Sequence, residues 1–380
     1  MRLWLGAFTI SLAAFAVCKA APNRAAATVR LTQDISPRIG VIEVYGARKV
    51  PLKKIRSALG VSEGDILPVS REAAEDRISG IPGVVASRIE AACCEGRKMV
   101  LYVGVEERDA PHFEFRPAPS GDSALPEDVA NNYHALMEAV AASIRGRNAD
   151  EDLTNGYSLM ADPQCRELQE AFIPMLAREL APIDQVLRES QSAEQRAIAA
   201  YVLQYALRDA RSAKTMLDGL QYALQDREDT VRENAMRSLK AVEVGAKLHP
   251  EQGIRIEPTW LVELMNSIVW SDRRNASLAL VNLTDQRDRD TLELLRQRAL
   301  ASVVDMARWH DLEHALPGFI LAGRLAGLDE KEIQAAWISG NREAILERAL
   351  KPSSKPGGAG VVSSLVRHQA KQQEAPKQGR

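Results

Sequence analysis

The sequence predicts a mainly α-helical protein, an α-α superhelical solenoid preceded by a small α+β domain. Three observations point there. From residue 125 onward the chain is dominated by Ala, Leu, Glu and Arg, the residues that cost least in a helix. A run of small residues, Ala199, Ala235, Ala276 and Ala315, recurs at intervals of 36, 41 and 39 residues. Ahead of this array, residues 39–108 read as strand, helix, helix, strand, strand. The 380 residues are 46% apolar and 26% charged, ordinary globular proportions, with ample material for a core. A formal net charge of −2 gives no overall attraction to nucleic acid or to an anionic membrane.

Taken in order, residues 1–20 read as a signal peptide. Arg2 supplies a positive start, Leu3 to Val17 is uncharged and apolar, and Ala20 precedes Ala21-Pro22 at a plausible cleavage point. The run is shorter than the roughly 20 residues of a spanning helix. An uncleaved anchor, or a lipid-modified Cys18 behind an unfavourable Phe15-Ala16-Val17, are the alternatives. The short Ala-rich style points to a bacterial protein that is periplasmic or secreted, with no integral membrane segment after cleavage.

The first domain spans 39–108. Val41 to Tyr45 is a β-prone run closed by Gly46, and Pro51 opens a helix carrying Leu52, Ile55 and Leu59 up to Gly60. Gly64-Asp65 marks a turn, and Ser70 is placed to cap a second helix that ends before Pro82-Gly83. Strands follow over 84–92 and 98–106; in the second, Met99, Leu101, Val103 and Val105 alternate with Val100, Tyr102, Gly104 and Glu106. This strand order, with the Gly46, Gly64-Asp65 and Pro82-Gly83 turns and the closing Val103-Gly104-Val105-Glu106-Glu107, resembles a POTRA domain. The resemblance implies protein recognition, often through a sheet edge lent to a client strand; a single copy without a following β-barrel departs from the assembly-factor pattern.

Residues 109–150 read as a linker with Pro111, Pro117, Pro119 and Gly121, then a docking helix begun at Pro126 with Val129, Tyr133, Leu136, Met137, Val140 and Ile144 on one face. Residues 151–350 hold the repeats. Arg196, Arg232 and Arg273 each stand three positions before the recurring alanine, and Leu203, Leu239, Leu280 and Phe319 four positions after it. Alanine lets a neighbouring helix approach, and the larger residue one turn later fills the shared core. The arginine is expected to be solvated or part of a ladder rather than a catalyst. The period and the run from Asp226 through Val231-Arg232 to Ala235 resemble HEAT or HEAT-like repeats. A capping pair is expected over 163–190, a second cap over 329–350, and a disordered basic tail over 351–380.

Three constellations carry possible chemistry. His310-Asp311-Leu312-Glu313-His314 matches the H-x-x-E-H pattern of inverted zinc peptidases, in which both histidines hold zinc and the glutamate activates water. The repeat register also accounts for His314, which occupies the place of Asn234 and Asn275. Cys93 and Cys94 adjoin a turn and could form a ring, bind a soft metal or, with Cys165, bridge the first domain to the array. Trp260, Trp270, Trp309 and Trp337 cluster late in the chain and could anchor a partner peptide or fill the core. Gly357-Gly358-Ala359-Gly360 opens no helix and is linker. The expected function is that of a non-catalytic scaffold or adaptor in the periplasm or cell envelope, binding proteins or peptides, not nucleic acid, and needing no cofactor. A zinc-dependent hydrolase using His310 and His314, or a redox or metal-handling protein using Cys93-Cys94, are the competing classes.

Overall fold

The computed structural model describes residues 37–351, apart from 69, 96–97 and 208 and the side chains of 94 and 95. The expected signal peptide lies outside the described residues, as does the expected tail beyond residue 351.

Strand β1 (Ile39–Tyr45) leads into helices α1 (Leu52–Leu59) and α2 (Arg71–Ser79), followed by the paired strands β2 (Val84–Glu95) and β3 (Lys98–Glu107). The sheet order is β1-β3-β2, with β1 parallel and β2 antiparallel to β3. Local chemistry sets the breaks. Ser70 accepts a hydrogen bond from the Ala73 amide at the start of α2, and α1 stops at Gly60 in the left-handed conformation. Gly46 also has positive φ, and a Cβ there would overlap the Val105 carbonyl oxygen. The alternation in β3 sorts two buried faces rather than a buried and a solvated one. Leu101, Val103 and Val105 join Ile39, Ile42, Ile55, Leu59 and Ile78 in a core under α1 and α2. Val100 and Tyr102, with Tyr45 of β1, belong instead to the core of the helical part.

The segment after β3 has no regular structure, yet it is pinned. The Arg116 amide donates to Gln225 O at 2.7 Å and the Gly121 amide to Glu189 O at 2.9 Å, while Phe113 and Leu125 are buried. The Arg116 guanidinium lies 3.3 Å above the Tyr222 ring centre. These contacts make it a strap across the helices, where the prolines alone predict a plain linker. Helix α3 (Glu127–Arg145) then packs on the helix that follows.

A two-residue hairpin, β4 (Glu151–Asp152) with β5 (Leu159–Met160), precedes α4 (Pro163–Glu189). Over the stretch where the sequence suggests a capping pair, α4 consists of two helical segments that meet at a kink at Glu179, whose backbone is non-helical. Pro182 lacks the amide that would bond Arg178, and its ring crowds that turn, which interrupts the helix there and sets the two segments at an angle. The remaining helices are α5 (Ala193–Val202), α6 (Ala210–Ala223), α7 (Asp229–Leu248), α8 (Thr259–Leu264), α9 (Trp270–Leu283), α10 (Arg289–Ala307), α11 (Leu312–Leu325), α12 (Glu330–Ile338) and α13 (Arg342–Leu350). The fold is mainly α. Helices α5, α7, α9, α11 and α13 each touch the next, and each also packs on the helix before it in sequence. Ala199, Ala235, Ala276 and Ala315 are fully buried at these contacts, as are Leu203, Leu280 and Phe319.

The arginines ahead of those alanines are internal. Arg196 and Arg232 are each 1% exposed. Arg196 makes a bidentate pair with Asp226 at 2.7 and 2.9 Å. Arg232 donates to Asp272 at 2.9 Å and to the Asp226 carbonyl at 2.8 Å. Arg273 donates to Ser267 O at 2.6 Å, and Ser267 Oγ donates in turn to Asp272 at 2.7 Å. A continuous ladder of buried charge therefore runs from α5 to α9.

Candidate functional site

The side chains singled out by sequence converge on the seam between the three-stranded sheet and the helices, and the sheet supplies partners that sequence did not reveal. From β1, the Tyr45 hydroxyl donates to Ile268 O at 2.7 Å, just before α9. The Gly46 amide and the Arg48 guanidinium both donate to Asp305 of α10, the latter at 2.7 Å. From β2, Glu90 accepts the backbone amide of Trp270, the first residue of α9. Its carboxyl pKa is raised by burial, against the lowering effect of that amide. On β3, a Cβ at Gly104 would overlap the Ile268 carbonyl oxygen, so the strand approaches the loop more closely than any side chain would permit.

Aromatic packing fills the centre. The Tyr102 ring stacks on Trp270 at 4.7 Å and 18°, and meets Trp309 at 5.1 Å. Tyr45 lies 5.6 Å from Trp309, and Arg273 sits over the Tyr45 ring at 4.5 Å. Burial pushes both tyrosine hydroxyls to higher pKa, so they remain donors at any ordinary pH. Trp309 and Trp270 are thus occupied within the molecule. Trp337 packs on Phe319 at 5.1 Å, and Trp260 is half-buried against the same core. Trp270 and Trp309 share the Tyr102 ring at the seam while Trp337 packs on Phe319 in another part of the core, so the four tryptophans do not form one solvent-facing anchor.

The H-x-x-E-H run divides at the start of α11. His310 precedes the Asp311 cap, whose carboxylate accepts the His314 amide at 2.9 Å, and only His314 lies inside the helix. The His310 side chain is 74% exposed and its Nδ1 lies 3.1 Å from Glu43 of β1, a carboxylate that also accepts the His310 amide. His314 is buried, and its Nδ1 is hydrogen-bonded to the Tyr102 hydroxyl. Burial lowers the His314 pKa, with Asp311 acting in the opposite sense, so the ring is neutral near physiological pH. Glu313 is exposed. Among the described residues no group of three or more His, Cys, Asp or Glu is placed to hold a metal. Each histidine ties a different strand of the sheet to the beginning of α11.

Cys93 is exposed on β2 and disulfide-bonded. The expected bridge from the first domain to Cys165 is not formed, because Cys165 is a free thiol. It is buried near the start of α4, and burial pushes its pKa to about 11, with Asp162 adding in the same direction. The Cys94 side chain lies outside those described. The link that a disulfide was expected to supply is supplied instead by the hydrogen bonds and rings of the seam.

Two cavities lie elsewhere. One, of 380 Å³, is lined by Lys49, Lys54, Arg108 and Glu107. Burial of Glu107 raises its pKa, but the amides of Val50, Lys49 and Arg48 outweigh it and hold the carboxylate below its usual range. The other, of 270 Å³, opens between α7 and α9 around Glu243. No helix of the described residues is long and apolar enough to cross a membrane. Sequence reasoning missed Glu43, Tyr45, Glu90 and Tyr102; the apolar and aromatic character of both faces of β3 was a signal for Tyr102 alone. No protein-family model matches the chain, and no curated protein matches it.

Proposed function

We propose that the protein is a non-catalytic interaction scaffold of the bacterial periplasm or cell envelope, a POTRA-like domain joined to a HEAT-like array. The observation that carries this reading is the serial contact of α5, α7, α9, α11 and α13 through buried alanines. Stacking of this kind buries a core without closing on itself and offers a long surface to a protein or peptide. The strand order β1-β3-β2 and the helices between β1 and β2 support the POTRA-like part.

A client strand would join β2. The outer edge of β1 is already engaged: its Ile39 amide donates to Asp65 O at 2.8 Å and its Ile42 amide to Glu63 at 3.3 Å. β2 carries an exposed Val85 as its second residue and is restrained in its middle by Glu75, which accepts the Ile89 amide at 2.6 Å. A joining strand would displace that carboxylate and take over the amide.

Site-specific photo-crosslinking in cells tests the reading. A photoreactive residue at Val85 or at the exposed Leu278 of α9 is expected to give discrete protein adducts, whereas Leu52 on α1 is not. Absence of adducts from both positions would sink the scaffold. So would stoichiometric zinc in the purified protein that disappears in a His310→Ala/His314→Ala variant.

A further inference from the structure

We propose that the cavity between α7 and α9 binds a primary ammonium carried on a short apolar stem, with the Glu243 carboxylate as its counter-charge. The cavity measures 270 Å³ and one part of its wall is apolar, formed by Ala246, Ile254, Ile256 and Leu283. Glu243 also lines it and is 5% exposed. One carboxylate oxygen, Oε2, accepts from Asn282 Nδ2 at 3.3 Å; the other, Oε1, has no hydrogen-bond partner.

The nearest cation of the chain does not supply that partner. Lys247 Nζ stands 3.9 Å from Glu243 Oε1 and is committed elsewhere, donating to Asn282 O at 3.1 Å and to Asp285 at 2.9 Å. A buried acceptor left without a donor is unfavourable; Oε1 is closed to solvent, and a turn of the Glu243 side chain toward the cavity would let a ligand N–H relieve it. Charge favours a cation as well. Glu243, Asp285 and Asp288 around the cavity outnumber Lys247 and Arg255. Asp288 stays ionised, because the Thr291 side chain and amide hold its pKa below the usual carboxylate value. An ammonium supplies the charged donor that Oε1 lacks, and the aliphatic wall accepts its stem.

The groups facing Glu243 set the pH dependence. Burial pushes its pKa up to about 7; Lys247, Asn282 and Lys240 lower it and Asp285 raises it. A bound ammonium stabilises the ionised carboxylate, so binding strengthens as pH rises through that value. Two sources present this chemistry, a free alkylamine and the lysine side chain of a peptide.

The test is a titration of the full mature chain with n-butylammonium, followed by amide shifts in NMR spectra. Saturable shifts are expected at Ile256, Leu283 and Gln286, with affinity about tenfold greater at about pH 8 than at about pH 6, as the ionised fraction of the carboxyl dictates. The Glu243→Gln variant, close in shape to the protonated carboxyl, should lose binding, and 1-butanol should not saturate the site. Nα-acetyl-lysine methylamide binding as tightly as butylammonium identifies a lysine side chain; weaker binding identifies a free amine. The proposal is overturned if butylammonium shifts none of these amides, if butanol binds equally well, or if Glu243→Gln binds like wild type. Should that variant fail to fold, a wild-type affinity independent of pH overturns it alone.

Discussion

Single residues here are governed by whether burial comes with a partner. Glu243 is buried with one oxygen unpaired, and its pKa rises to about 7 from an unfolded value near 4.5. The folded state therefore holds its proton more tightly than the unfolded chain, and stability falls as pH climbs between those two values. Full expression of the shift costs at most about 3 kcal/mol above pH 7. Glu243→Gln is accordingly expected to raise the melting temperature near pH 8 and to leave it almost unchanged near pH 5; equal gains at both would show that the carboxyl does not titrate as described. Cys165 makes the opposite kind of prediction. A thiol buried and shifted to about 11 offers almost no thiolate at neutral pH, so maleimide should label it only after denaturant is added.

At the scale of elements, the repeated arginines do more than their sequence context discloses. Spacing located Arg196, Arg232 and Arg273 at corresponding places, but not the carboxylates that Arg196 and Arg232 meet, Asp226 ahead of α7 and Asp272 in α9. Asp272 is raised in pKa by burial while Arg232 lowers it, so the pair survives because each charge answers the other. Asp272→Ala would leave the Arg232 guanidinium buried with one fewer partner, at an expected cost of about 3–5 kcal/mol. Replacing both, Arg232→Met with Asp272→Leu, should recover much of that loss in denaturant titrations, and failure to recover any would mean that the bond from Ser267 to Asp272 matters more than the pair. Local signals were legible wherever the cause is itself local. Ser70 caps α2 and Gly60 ends α1 because capping and left-handed backbone depend on the residue in place. The kink at Glu179 was less legible, since Pro182 breaks a helix or merely bends it according to what packs around it.

For the whole molecule, the seam decides behaviour. Tyr45, Gly104 and Tyr102 on the sheet close against Ile268, Trp270, Trp309 and His314 on the helices, with Glu43 and Glu90 capping the amides of His310 and Trp270. Gly104→Ala places a methyl against a backbone carbonyl that cannot move independently, and is expected to cost about 1–3 kcal/mol. The wild-type protein should unfold in one calorimetric transition. Gly104→Ala combined with Tyr102→Ala should separate an early loss of tryptophan signal, from Trp270 and Trp309, from a later loss of helix. Coincident transitions in the double variant would show that the two parts are held together elsewhere.

What the sequence determined by itself was everything written in periodicity and local backbone chemistry: mainly helical character, the alternation of β3, the caps, and the alanines at helix contacts. Those follow from neighbours a few residues apart. What only tertiary structure decided was the use of the chemistry-bearing side chains. Glu43 precedes His310 by 267 residues, and Tyr102 precedes His314 by 212. A histidine pair that reads as a metal motif along the chain becomes two separate ties to a sheet in space. The seam tryptophans that read as anchors for a partner meet tyrosines of the same molecule. Hydrogen bonding and burial are set by distance through space, and a linear pattern carries no measure of it.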